Sequence, residues 1–320
     1  MKTFNRALSP DIEHQILPKT GPFNAVFLDI ETTGFHREHC YIMLIGVITY
    51  CDGHWICTQW FAESREDEPQ ILKAFLKILS EPSLLISFNG TRFDLPFIAA
   101  RLAYHHFFKS PQEALESLLK QHIHVDLLTI SKHLPERLEN YRLKTIESYL
   151  NIYRTDNISG GESVQLYYQY LKNPTQALLD SILLHNADDI ENMLPLWQIF
   201  DHIPPEISAL CCPQINNSII LWVGSISNFL TIEGITKVYK QSFLHFGAHQ
   251  MQCEGYHFKL HLQLSIVESE GLRLDVVRYP DFSGALSKIA PEKWLVACNH
   301  MPHLDNINFI ITSFLGITEM

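Results

Sequence analysis

Phe27-Leu28-Asp29-Ile30-Glu31-Thr32-Thr33-Gly34 closes an apolar run that opens near Asn24. A continuous apolar run of this length marks a strand buried on both faces, so 24–31 reads as an interior strand of a sheet. Asp29 and Glu31 stand two residues apart, which puts both carboxylates on one face of that strand. They follow the apolar residues and therefore fall toward the strand's end. Side by side they repel unless a cation lies between them; the plain alternative is a solvated strand end.

Outward from this strand the pattern alternates between strand and helix. Tyr41–Tyr50 and Trp55–Phe61 read as two strands joined at Asp52-Gly53, which makes an antiparallel meander of the first three strands. Over Asp67–Ser80, Ile71, Leu72, Phe75, Leu76 and Leu79 recur at helical spacing behind an acidic first turn, Glu66, Asp67 and Glu68. A short strand at Leu84–Ser87, a helix at Asp94–His106 and a strand at His122–Leu127 follow. Helices are then expected at Leu143–Leu150, Ser163–Leu171 and Thr175–Phe200. This order predicts an α/β fold with a mixed sheet flanked by helices.

Pro204-Pro205 ends that region. The expected layout is an N-terminal arm at 1–22, a main domain at 23–203 and a smaller β-rich or α+β C-terminal domain at 204–320. In the last, Ile219–Val223, Phe229–Glu233 and Ile235–Tyr239 read as strands, and Tyr256–Val267 with Leu272–Arg278 as a hairpin. Its role is unassigned; Trp222, Phe229, Tyr239 and Phe243 form either core or a stacking surface for bases.

Two further acidic patches lie in the main domain: Phe88-Asn89-Gly90-Thr91-Arg92-Phe93-Asp94 and His185-Asn186-Ala187-Asp188-Asp189-Ile190. Asp94 sits before Leu95-Pro96, where it serves as a helix cap, a cation ligand, or both. His185 and Asp189 are four apart on the last long helix and share a face, while Asp188 points about a quarter turn away. Four carboxylates gathered from these patches suit two divalent cations, and paired cations cleave phosphodiester bonds.

Composition narrows the setting. The 320 residues are 46% hydrophobic with a net charge of -11, which argues against a protein that coats duplex DNA indiscriminately. Ten Lys or Arg nevertheless lie between Arg92 and Lys172, the stretch expected to border a substrate groove. No apolar run approaches the roughly 18 residues of a membrane span. Seven cysteines without a Cys-x-x-Cys pair suit reduced thiols, and the expected location is cytoplasmic. Cys51, His54 and Cys57 read as hairpin arms rather than as a zinc site.

Asp-Ile-Glu-Thr-Thr-Gly, then Asn-Gly-x-x-Phe-Asp-x-Pro, then His-Asn-x-x-Asp, in that order, resemble the DEDD or DnaQ-like exonucleases of the ribonuclease H-like fold. The likeness covers about 23–202. Tyr141–Glu147, Arg154–Gly160 and Leu166-Tyr167 resemble the YprB-type branch of predicted exonucleases. The resemblance implies a 3′–5′ exonuclease acting on single-stranded DNA or RNA. Its two cations, Mg²⁺ or Mn²⁺, would be held by Asp29, Glu31, Asp94 and Asp189, with His185 orienting or deprotonating the attacking water. His185 stands at the spacing where that family carries Tyr, a departure from its His motif. Thr32, Thr33 and Gly34 are the expected approach to the terminal nucleotide, Asn89 is a further expected substrate contact, and Arg142 and Lys144 form either backbone phosphate contacts or a solvated helix surface. The alternative is a binding module for nucleic acid or protein with a degenerate site. Protein partners are unassigned.

Overall fold

The computed structural model describes residues 1–8, 25–51, 53–81, 83–156, 158–205, 207–208, 212, 214–215, 219–226, 229–246, 249–267, 271–274, 295–298 and 301–315. The chain divides into two compact units, Met1–Ile199 and Phe200–Met320.

The first unit is built on a six-stranded sheet, β1 (Lys2–Ala7), β2 (Ala25–Thr32), β3 (Ile42–Cys51), β4 (His54–Phe61), β5 (Ser83–Ser87) and β6 (His122–Asp126), in the order β1-β4-β3-β2-β5-β6. β2, β3 and β4 form the expected antiparallel meander, and β5 and β6 join it in parallel. The mixed, ribonuclease H-like sheet is thus realised. Its helices are α1 (Glu68–Ile78), α2 (Asp94–Tyr104), α3 (Pro111–Lys120), α4 (Leu127–Ser131), α5 (Leu143–Tyr149), α6 (Gly160–Lys172) and α7 (Gln176–Leu196).

The pleat of β2 decides where the carboxylates go. Val26, Leu28 and Ile30 share one cluster with Ile71, Phe75, Phe97 and Leu102 of α1 and α2. Alternation therefore turns Asp29 and Glu31 to the opposite face. On that face Met43, Leu44 and Phe61 meet Tyr167, Tyr170, Leu179 and Ile182 of α6 and α7. Each large apolar side chain so buried contributes about 1.5–3 kcal/mol. Glu68 ties the first layer to the sheet: Ile42 N donates to it at 2.9 Å, Arg101 grips it through Nε at 2.8 Å and Nη2 at 2.7 Å, and His105 Nε2 lies 2.7 Å away.

Two expectations change. Residues 2–7, read as part of an arm, pair antiparallel with β4 as an edge strand. Phe4 packs on the cluster beneath α6 and α7, and that contact, with the backbone pairing, overrides a weak local pattern. Helix α3 was not anticipated; Ser110 caps it by accepting from Glu113 N, with Pro111 behind it.

In the second unit seven antiparallel strands run β13-β12-β11-β10-β9-β8-β7. β9 is one strand, Phe229–Phe246, where two were expected, and it pairs along β10 (His249–Val267) with a bulge between Gly255 and His257. Gly234 sits inside β9 paired with Phe258, so it is no break. The hairpin partner expected at Leu272–Arg278 is described as β11 (Gly271–Leu274), and 268–270 and 275–278 fall outside the described residues. β7 (Gln214–Ile215), β8 (Ile219–Ile226), β12 (Leu295–Cys298) and β13 (Met301–Pro302) complete the sheet, and α8 (Leu304–Leu315) follows. The side chains of Trp222 and Tyr239 also lie outside the description. Among the described residues no helix is long and apolar enough to cross a membrane.

Candidate metal centre and cleft

Asp29, Glu31, Asp94, His185 and Asp189 line one cleft of about 810 Å³. They arrive from β2, the start of α2 and the middle of α7. Glu31, His185 and Asp189 each offer a donor atom within 4.8 Å of the others, the convergence a cation needs.

Asp29 and Asp94 are each held by a neighbour. Asn186 Nδ2 donates to Asp29 Oδ2 at 2.8 Å, and Asn186 Oδ1 accepts from Gln59 Nε2 at 2.8 Å. Asn186 fits there because Gly46, opposite Asp29 on β3, has no side chain: a Cβ would fall 2.1 Å from Asn186 Oδ1. Asp94 is the first helical residue rather than a cap. Phe93 occupies the capping position without a side-chain bond, and Asp94 Oδ1 accepts from Ile30 N at 3.2 Å. That bond draws α2 against β2 between the two strand carboxylates. The loop before it is set by Asp126, whose oxygens accept from Asn89 N at 2.8 Å and Thr91 N at 3.1 Å. Asn89 takes φ 66°, a left-handed conformation Asn tolerates, and a Cβ on Gly90 would fall 2.0 Å from Ser87 Oγ.

Crowding leaves these groups short of compensating charge. Burial, then Asp189, Asp94 and Glu31, raise the Asp29 pKa well above the usual range. Burial is also the chief cause that pushes Glu31 up to about 7, with His185 opposing. Asp94 likewise rises to about 7 through burial, against bonds from backbone N–H groups. A divalent cation would relieve this repulsion, and an all-oxygen donor set is what Mg²⁺ prefers. The residues fit the ions that the sequence resemblance implies.

Two groups here were not anticipated. Asp156 Oδ2 lies 2.7 Å from His185 Nδ1 and Glu31 Oε1 lies 3.4 Å from Nε2, so the imidazole bridges two carboxylates. Arg154 donates to both oxygens of Glu147, at 2.9 and 3.0 Å, and forms an ion pair with Asp189. Both sit in the α5–α6 loop, where no periodicity marks them. Asp188, the weaker candidate on its helix face, anchors that loop by accepting from Thr155 N at 2.8 Å and Asp156 N at 2.6 Å.

Of the expected substrate contacts, Thr32, Gly34, Asn89, Arg142 and Lys144 line the cleft and Thr33 does not. The Thr33 hydroxyl accepts from Tyr41 N at 3.0 Å instead. Thr32 closes its own turn, Oγ1 donating to Gly34 O at 2.9 Å. Lys144 Nζ donates to Ile158 O at 2.8 Å, while Arg142 is exposed. Phe97 is core, and Phe93 lines the cleft with its ring centroid 6.1 Å from that of exposed Phe35.

Residues 26–200 match the family model of the RNase_H superfamily. The chain belongs to that superfamily. Its curated relative, the uncharacterized protein YprB of Bacillus subtilis, is 26% identical over 177 residues, 54% of this chain and 41% of YprB. The chain thus spans about two-fifths of that relative's length. Among solved structures it is similar to the family B DNA polymerase of Pyrobaculum calidifontis, with 19% identity and a TM-score of 0.47, covering 60% of this chain and 26% of the polymerase. It is also similar to E. coli exonuclease I, solved with a dA13 oligonucleotide, with 12% identity and a TM-score of 0.38, covering 66% and 54% of the two chains. Family and site together support a nuclease.

Proposed function

We propose that this RNase_H superfamily member is a metal-dependent 3′–5′ exonuclease that hydrolyses single-stranded DNA or RNA. The observation that carries the reading is the convergence of Asp29, Glu31, Asp94 and Asp189 on one cleft, with pKa values raised in three of the four. These four would hold two divalent cations, whose chemistry is to lower the pKa of a water and to stabilise the leaving oxygen.

The chain's own residues supply the rest. Asn186 orients Asp29, and the Ile30 N–H orients Asp94. With the Nδ1 edge of His185 bonded to Asp156, Nε2 would be the atom that takes a proton from the attacking water. Arg142 and Lys144 at the rim receive backbone phosphates, while Phe35 and Phe93 flank the entry of a base.

End-labelled single-stranded DNA and RNA incubated with Mg²⁺, Mn²⁺ or EDTA test this, with Asp29→Ala/Glu31→Ala as control. The expected result is a metal-dependent ladder shortening from the 3′ end, absent in the double variant. Intact substrate in every lane with folded protein would sink the proposal and favour a binding module with an inactive site.

A further inference from the structure

Arg154 places a buried positive charge against a carboxylate that the proposed function reserves for a cation. Its side chain is about 10% exposed and lines the cleft. Nη1 is committed to Glu147, itself about 1% exposed and also bonded by Asn192 Nδ2 at 3.1 Å. Nη2 meets Asp189 Oδ1 and lies 3.5 Å from Asp156 Oδ2. Nε is buried and has no hydrogen-bond partner. The guanidinium is thus tethered at one end and holds one of the proposed cation ligands at the other, with a donor to spare.

Cation loading changes what Asp189 needs from Arg154. Four ligand carboxylates carry four negative charges, and two divalent cations neutralise all of them. With both cations present, Asp189 no longer needs Arg154 as a counter-ion while Glu147 still balances the guanidinium, and a lone pair gripped by a guanidinium is not offered to a metal. The bonds from Nη1 to both Glu147 oxygens keep Arg154 in the cleft when Asp189 lets go.

We propose that Arg154 is the counter-ion of Asp189 in the metal-free protein, that divalent cations displace it, and that the released donors then bind a phosphodiester oxygen of the substrate. Arg154 would thereby couple cation loading to substrate capture. This rests on the four carboxylates being a cation site.

The test uses the full chain with Arg154→Gln, Arg154→Lys and the double variant Arg154→Gln/Glu147→Gln, which avoids leaving Glu147 buried and unpaired. Mn²⁺ affinity is measured by calorimetry. The Arg154 Nε–H resonance, identified by its loss in Arg154→Lys, is followed while Mg²⁺ is added. KM and kcat are measured on a single-stranded oligonucleotide.

Mn²⁺ should bind about tenfold tighter to both variants lacking the positive charge. The Nε–H resonance should move on Mg²⁺ saturation, and KM should rise more than kcat falls in every variant. Arg154→Lys should keep near-native Mn²⁺ affinity because it keeps the charge. Normal cation binding by the wild type, with unchanged or weaker affinity in the charge-free variants and an unmoved resonance, would overturn the role of Arg154 alone. Absence of cation binding by the wild type would overturn the function proposed for the site, and this inference with it.

Discussion

At the scale of single residues, the molecule's acidic site rests on partners besides the proposed ligands themselves. Asp156 touches no proposed ligand carboxylate but bonds the Nδ1 edge of His185. Asp156→Asn keeps the size and loses the carboxylate acceptor. It should lower kcat by about 10- to 100-fold while Mn²⁺ affinity by calorimetry stays near that of the wild type. A parallel fall in cation affinity would mean that Asp156 only supports the fold. The crowding of Glu31 and Asp94 carries a signed pH dependence. Their pKa values rise from 4.5 and 3.8 to about 7 on folding, so the metal-free folded protein holds more protons than the unfolded chain between those limits. Their contribution is therefore favourable below about 4 and is lost as pH rises through about 7. His122 and His124, lowered to about 4 by burial, bend the curve the other way, with stability falling as pH drops below 6.5. They do so with or without a cation. The gain in Tm on adding Mg²⁺ should consequently grow from pH 5 to pH 8, because fewer protons must be displaced. A gain that is flat with pH would contradict the site.

At the scale of elements, close approach decides whether the carboxylates meet. β3 lets Asn186 of α7 reach β2 only because Gly46 leaves the space. Gly46→Ala should cost about 1–3 kcal/mol, read as a lower urea midpoint, since backbone and α7 must part to admit the Cβ. Glu68 joins β3, α1 and α2, and its partner Arg101 is fully buried. Glu68→Gln should cost about 3–5 kcal/mol by leaving Arg101 uncompensated; a Tm within a degree of wild type would refute that. These elements also mark what could be read in advance. β2 was legible because an apolar run with two carboxylates at period two has few other readings. The meander was legible from strands flanking a short turn, and α7 from its length. β1 was not, because the strand that pairs with Lys2–Ala7 lies some fifty residues away. Arg154 and Asp156 lie in a stretch that carries the family resemblance, but their roles were not legible, because loop side chains follow the path of the backbone and no repeat encodes that path. Thr33 lies off the cleft lining: the ladder shifts register after Glu31, and its hydroxyl accepts from Tyr41 N.

At the scale of the whole molecule, every residue that lines the cleft lies in the first unit. A fragment of residues 1–203 should fold cooperatively by circular dichroism and bind Mn²⁺ with native affinity. Failure to bind would show that the second unit contributes to the site. The acidic balance of the chain, net -11, also predicts weak affinity for polyanions without divalent cations, which filter binding in EDTA would measure.

One turn of α7 carries four attachments at once: His185 to Asp156, Asn186 to Asp29, Asp188 to the α5–α6 loop and Asp189 to Arg154. No one of them can be released by a local excursion of this turn without straining the rest. Opening and closing of the site should therefore be a cooperative event, with the amides of 185–189 and 154–156 exchanging their hydrogens at a common rate. A bound cation would slow that exchange for both segments together. Nascent chain on the ribosome, in turn, has no site until some 190 residues have emerged and this turn has found β2.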